Sequence, residues 1–385
     1  MPSYPRSISS KLPLVGTTIF TVMSKLAAEN NAINLSQGFP DFPCSAELIS
    51  LVTKHMQEGK NQYAPMQGLL SLRETIAAKM EKAYGVAYHP EGEITITAGG
   101  TQAIYSAIAA FVREGDEVIV FNPAYDCYEP AIELNGGVTV FSTLVAPEYK
   151  INWTEVRKLI NHKTRMIIIN TPHNPTGTLL SKSDLEELEK ITKGSDIIVI
   201  SDEVYEHLVF DGLCHESVCR YPGLAERSIL VYSFGKTFHV TGWKTGYVCG
   251  PANLMTEFRK AHQFIVFAVN TPMQYALDEF LKQEENYLSL GNFYQEKRDY
   301  FLNGIKGSRF QLKPSQGTYF QLLNYSKISN EKDTEFAIRL TKENKIASIP
   351  VSVFYNNEND EKVLRFCFAK KKETLDKAIE IINAI

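Results

Sequence analysis

The chain has 385 residues, 44% of them hydrophobic and 22% charged, with 23 Gly and 17 Pro, a composition of folded globular proteins large enough for one main domain and a smaller one. A net charge of −4 leaves no basic footprint for nucleic acid, and no apolar run nears the roughly 18 residues that a membrane helix needs. Six scattered cysteines without a CxxC pair point to reduced thiols and a cytoplasmic setting.

Residues 1–28 hold no acid and include Arg6, Lys11 and Lys25, a loose likeness to a transit peptide. With a single Arg and no continuous apolar segment, the stretch reads instead as a short disordered tail. From Glu93 onward one unit recurs: a short apolar run, a polar turn, then in several cases a helical pattern. Ile94–Thr97 runs into Ala98-Gly99-Gly100 and a helix from Thr101. Val118–Phe121 ends at Asn122-Pro123, and Met166–Ile169 at Asn170-Thr171-Pro172-His173-Asn174-Pro175. Ile197–Ile200 ends at Ser201-Asp202-Glu203, and Ile229–Tyr232 at Ser233-Phe234-Gly235-Lys236. Runs apolar at every position belong to strands covered on both faces, so these elements predict an α/β fold with a mostly parallel sheet sandwiched by helices. Ligands bind such sheets beyond the C-terminal strand ends. Gly100, Tyr125, Asn174, Asp202 and Lys236 all fall there. After Pro272 the pattern turns helical and charged, followed by strand-like Thr318–Leu322 and Val363–Cys367. The expected division is a large domain over 45–279 and a smaller α/β domain made of 1–44 and 280–385. Cys214, His215 and Cys219 lie close together, but their spacing fits no zinc pattern and no metal is expected.

Lys236 closes a buried strand, where burial and nearby positive charge would lower its pKa and leave a nucleophilic amine. An ordinary exposed lysine at a helix start is the competing reading. A nucleotide-binding P-loop is excluded, because the glycine it requires five residues before Gly235 is Leu230. Asp202 at the mouth of the sheet could pair with a ring nitrogen or could equally cap a helix beginning at Glu203. Gly99-Gly100-Thr101-Gln102 joins strand to helix, a place suited to an anion, though a plain turn would look the same. Ser233 and Lys244 could add a hydroxyl and a cation to that anion.

Taken in order, these segments resemble a known family. Ser233-Phe234-Gly235-Lys236 followed by Thr241-Gly242-Trp243-Lys244-Thr245-Gly246 is similar to the cofactor-lysine signature of class I/II aminotransferases, of pyridoxal 5′-phosphate (PLP) fold type I. Asn170–Gly177, Ser201–Tyr205 and Leu364-Arg365-Phe366 match the same family at its spacings. Similarity runs from about Pro13 to Lys371, which would leave little room for a cleaved presequence. The resemblance implies that Lys236 carries PLP covalently and moves the proton at the substrate's Cα. It assigns Asp202 to the pyridine nitrogen, Tyr205 and Asn174 to the ring's 3-oxygen, and Tyr125 to the ring face. Gly100, Thr101, Gln102, Ser233 and Lys244 would hold the phosphate, with Tyr63 reaching in from the other subunit of a homodimer. Arg365 would grip the substrate α-carboxylate, helped by Asn174 and the backbone of Gly38.

Within the family the sequence is most similar to kynurenine/glutamine transaminases and, closer still, to bacterial methionine aminotransferases. Gly16–Thr21, Asn34–Phe42, Asn61–Pro65 and Asp126–Pro130 carry that likeness. It implies a side-chain pocket of Phe20, Tyr125, Phe267 and Phe354, suited to Met, Phe, Tyr, His or kynurenine as amino donor and a 2-oxo acid as acceptor. The kynurenine-type enzymes have His after the residue matching Phe267; here it is Ala268, which favours methionine. A PLP-dependent cysteine-conjugate β-lyase shares these motifs and differs only in its products. A ligand-sensing transcription regulator would need a DNA-binding domain ahead of the fold. A catalytically dead binding protein would be expected to lack Lys236 or Asp202.

Overall fold

The computed structural model describes residues 4–385. Seven strands form the central sheet: β2 (Ile94–Thr97), β3 (Glu117–Asn122), β4 (Val138–Thr143), β5 (Thr164–Asn170), β6 (Ile198–Asp202), β7 (Ser228–Ser233) and β8 (Gly246–Cys249), all preceded in the chain by the short β1 (Ile33–Asn34). Their spatial order is β2-β8-β7-β6-β5-β3-β4. Only β8 runs against its neighbours β2 and β7; the rest of the sheet is parallel.

The unbroken apolar runs have a direct structural cause. Successive side chains of a strand point to opposite faces. Ile168 and Ile200 pack with Ile104, Ile108, Met255 and Phe258, which come from helices Gly100–Phe111 and Ala252–Val266. Ile167, Ile169 and Val199 pack into the larger core on the other face with Leu185 and Leu188 of helix Lys182–Thr192. Each fully buried Ile or Leu contributes roughly 1.5–3 kcal/mol, so both faces of the sheet are committed to helices.

Four strands complete the molecule: β9 (Phe320–Asn324), β10 (Ile346–Ala347), β11 (Ile349–Pro350) and β12 (Val363–Cys367). The last makes a three-stranded antiparallel sheet with β9 and β11. β1 pairs in parallel with β10, and helix Ile19–Glu29 packs nearby, so the chain's first elements join its last ones. Among the described residues no helix is long and apolar enough to cross a membrane.

Candidate active site

The C-terminal ends of β5, β6 and β7 lie on one edge of the sheet, together with the turn after β2. A cavity of about 270 Å³ opens there, lined by Gly100, Thr101, Tyr125, Asn174, Asp202, Tyr205, Ser233, Lys236 and Lys244 from the large sheet's loops. Gly38, Phe20, Phe320 and Arg365 close it from the other side. Residues 38 and 365 thus meet Lys236 across long stretches of chain.

Lys236 sits in the one-turn helix Phe234–Thr237 that follows β7 directly. Its Nζ donates to the Tyr319 hydroxyl at 2.9 Å and to the Gly38 carbonyl at 3.3 Å. Burial brings its ammonium down to about 8, with the positive charges of Arg365 and Lys244 acting in the same direction. The amine is therefore poised as a nucleophile rather than locked as a cation.

Asp202 ends β6 and is 4% exposed. Burial pushes its carboxyl up to about 6, against hydrogen bonds from the Tyr128 hydroxyl (2.6 Å) and the Val204 amide (3.4 Å). No helix follows: Val204–His207 is a run of turns, so the helix-cap alternative falls. A buried carboxylate whose charge burial penalises is a ready partner for a cation in the cavity.

At Gly100 helix Gly100–Phe111 begins, and its first intrahelical bond is from Ala103 to the Gly99 carbonyl at 3.1 Å. The amides of Gly100, Thr101 and Gln102 lie before that bond, where a helix accepts an anion. Gly99 reaches this turn with a φ of 84°, a region that favours glycine. The Thr101 hydroxyl is 3.2 Å from the Tyr125 hydroxyl, which ties the two walls of the cavity together. Gln102 can take part only through its amide. Its side chain accepts from the Ala98 amide at 2.8 Å and donates to Ser106 at 2.6 Å, so only its backbone is available to a ligand.

Arg365, on β12, is 1% exposed, and burial lowers its pKa, though a guanidinium stays charged. Its donors reach Asn174 Oδ1 at 2.8 Å and the Ser36 carbonyl at 3.1 Å, while Nε has no partner among the described residues. Phe320 lies 3.9 Å from the guanidinium carbon, and Phe20 and Phe354 each 5.3 Å. The cation is thus walled by aromatic faces and held by neutral acceptors alone.

Two aromatic residues lie elsewhere than the sequence places them. Phe354 stands behind the lining, 6.0 Å from Phe20, and is 5% exposed. Phe267 does not line this chain's cavity: it is 55% exposed and packs edge-on, at 4.9 Å, against Tyr63, itself 80% exposed. The reason is a tight turn at the end of helix Ala252–Val266, where Phe267 takes φ 67° and ψ −63° and Ala268 bonds back to Val266. That γ-turn geometry is rare and strained for a bulky residue.

Sequence reasoning missed three residues. Tyr128 holds Asp202. Asn170 donates to the Asp202 carbonyl and accepts from the Asn174 amide, both at 2.8 Å. Tyr319 contacts Lys236. The position of Asn170 at a strand end was a usable signal; nothing in the local pattern marks Tyr128 or Tyr319.

PLP fits this donor set. Asp202 suits a protonatable ring nitrogen, the open helix start with Ser233 and Lys244 suits a phosphate, and Lys236 suits an aldehyde. Fold and site together define a class of enzyme that works on amino groups through such a cofactor. The aminotransferase class I and II family model matches residues 30–382. The chain belongs to that family, and it is an aminotransferase whose cofactor is PLP. Methionine aminotransferase of Escherichia coli (strain K12) is 49% identical over 386 residues, covering 100% of both chains. Kynurenine–oxoglutarate transaminase 3 of Homo sapiens is 35% identical, covering 96% of this chain and 88% of the human protein. A crystal structure from Escherichia coli, reported to have a methionine aminotransferase function, superposes with a TM-score of 0.97 at 48% identity, covering 99% of this chain and 100% of that one.

Proposed function

We propose that the enzyme moves the amino group of a hydrophobic or aromatic L-amino acid, methionine foremost, to a 2-oxo acid. The observation that carries this is the environment of Arg365: a buried cation whose hydrogen-bond partners are neutral, set against the rings of Phe20 and Phe320 with Phe354 behind the lining. Such a site offers one charge for an α-carboxylate and apolar walls for the side chain. The names borne by the Escherichia coli and human relatives support the same class of donor. Half-reaction rates with Met, Phe, Tyr, His, kynurenine and Asp test it. Methionine should exceed aspartate in kcat/KM by at least about a hundredfold, because an unpaired second carboxylate among aromatics costs several kcal/mol. Aspartate within tenfold of methionine would overturn it.

Bound PLP supplies an aldehyde for the amino group and a ring that draws electrons from the substrate's Cα. When PLP is bound, Asp202, held by Tyr128, would keep the ring nitrogen protonated. Asn174 and Tyr205 would be the partners of the 3-oxygen, and Tyr125 would pack against the ring. The amides of Gly100, Thr101 and Gln102, with Ser233 and Lys244, would hold the phosphate. Arg365, Asn174 and the Gly38 backbone orient the α-carboxylate. Lys236, its amine mostly uncharged above about pH 8, holds the cofactor and then carries the proton away from Cα.

The working form is a homodimer in the cytoplasm. Support for the dimer is the apolar surface around Tyr63, Phe264 (88% exposed) and Phe267, which a second copy would cover. Tyr63 and Phe267 are assigned to the cavity of the other subunit. The large domain spans 45–279 and the small one 1–44 with 280–385, of which residues 1–3 lie outside the described residues. Pairing of β1 with β10 supports that grouping, and six free cysteines support a reducing compartment.

A further inference from the structure

We propose that Tyr319 is a positioning residue for Lys236, its hydroxyl fixed on the Gly38 carbonyl and accepting a hydrogen bond from the ε-amine whenever that amine is free. The inference rests on Lys236 being the cofactor lysine. Tyr319 is 1% exposed, and its ring is wedged against Tyr205 (5.2 Å, interplanar 89°), Phe320 (4.9 Å) and Tyr294 (5.8 Å). The phenol donates its one proton to the Gly38 carbonyl. Nζ, 2.9 Å away, donates to the same hydroxyl oxygen.

A lysine in this place needs such a support. Its chain of rotatable bonds loses side-chain freedom when ordered, and a covalent bond orders it only part of the time. When the amine is released, two neutral acceptors remain to hold it: the Tyr319 hydroxyl and, at 3.3 Å, the Gly38 carbonyl. The same backbone segment also serves Arg365 through the Ser36 carbonyl, and its Leu35 carbonyl accepts from the Cys367 amide at 2.8 Å. A side chain at position 38 would be crowded, since a Cβ there would stand 2.7 Å from the Phe320 ring. Seating of this segment thus fixes the substrate-binding arginine and the acceptors of the lysine together. No bond to a heavy atom changes at Tyr319, and the phenol keeps its proton throughout.

The test is Tyr319→Phe, which keeps the packed ring and removes one hydroxyl. The other titratable groups around Nζ are Arg365, Lys244, Asp202, Cys367 and Tyr205, all retained in the variant, where only Tyr205 also loses the Tyr319 hydroxyl as a neighbour. In the aminated holoenzyme, where Lys236 is free, trace acetylation over a pH series read at the Lys236 peptide by mass spectrometry gives the amine's midpoint. Loss of a neutral acceptor should lower that midpoint by about one unit, tenfold in the acid dissociation constant. In the half-reaction with methionine, kcat should fall by up to about a hundredfold with KM nearly unchanged, and the isotope effect of Cα deuteration should rise. An unmoved midpoint with an unchanged isotope effect overturns the proposal, whatever happens to the melting temperature. A variant that cannot fold also overturns it, because a hydroxyl that only positions an amine is dispensable to the core. A wild-type enzyme with its cofactor on another lysine defeats instead the assignment of Lys236.

Discussion

Replacing Arg365 by Leu deletes the guanidinium, 1% exposed, that lines one side of the cavity. Two of its donors are already used by Asn174 Oδ1 and the Ser36 carbonyl, and Nε is without a partner among the described residues. A bound α-carboxylate would take a two-bond, charge-assisted grip, each bond contributing about 1.5–3 kcal/mol. The total of about 3–6 kcal/mol corresponds to roughly 10²–10⁴ in kcat/KM at 1.4 kcal/mol per tenfold. Because every amino acid carries that carboxylate, the loss should be shared: methionine, phenylalanine and aspartate should all fall together, with their ratios kept within about threefold. Arg365→Lys keeps the charge but not the planar fork, and should fall between wild type and Leu. Stopped-flow half-reactions, read as the cofactor's absorbance change, measure each rate directly. A loss under tenfold, or one confined to aspartate, would refute the reasoning and make Arg365 a reader of side chains.

Asp202→Asn should keep the fold and some bound PLP, since the phosphate contacts remain, but lose most turnover; near-normal kcat would remove Asp202 from its role. Uptake of PLP by the cofactor-free chain should speed up with pH, with a midpoint near 8 rather than the lysine's ordinary 10.5, because burial favours the uncharged amine that attacks the aldehyde. The sign follows from the lowered value: above about 8 the native chain has shed a proton that an unfolded chain keeps until 10.5, so this group's contribution to stability rises with pH across that window. Tracking both uptake rate and melting temperature between pH 7 and 10 checks the two directions together; falling uptake over that range would contradict them. Tyr63→Phe should weaken PLP retention while the protein sediments as a dimer, and a fully active monomer would contradict the shared site.

Much of this was legible in the chain because the sheet advertises its own edge. Strands buried on both faces must be apolar throughout, so the first polar residues after them, Asp202 and Ser233 among them, mark where the sheet ends and ligands bind. The turn at Gly99-Gly100 was legible for a similar reason, since a strand entering a helix there leaves free amides. The residues missed depend on approach between distant segments. Tyr319 precedes β9 and meets Lys236 only through the folding of β9 and β12 over the cavity, an encounter across 83 positions that no local pattern encodes. Tyr128 reads as one more apolar position of a helix, and only its hydroxyl reaches Asp202. The Gln102 side chain is bound to Ala98 and Ser106, a tie that the sequence does not reveal, so its part in the anion site is through its amide. Phe267 is a pocket residue by family resemblance, but a strained turn directs it to the surface beside Tyr63, away from this chain's own cavity. The antiparallel β8 was also hidden, because a four-residue buried strand looks the same in either direction.

Every role assigned to the site turns on Lys236 being the residue that carries the cofactor. Borohydride reduction of the holoenzyme, followed by proteolysis and mass spectrometry, should place the cofactor's mass on the peptide containing Lys236 and on no other. A label on a different lysine, or a purified protein that binds no PLP, would contradict the account.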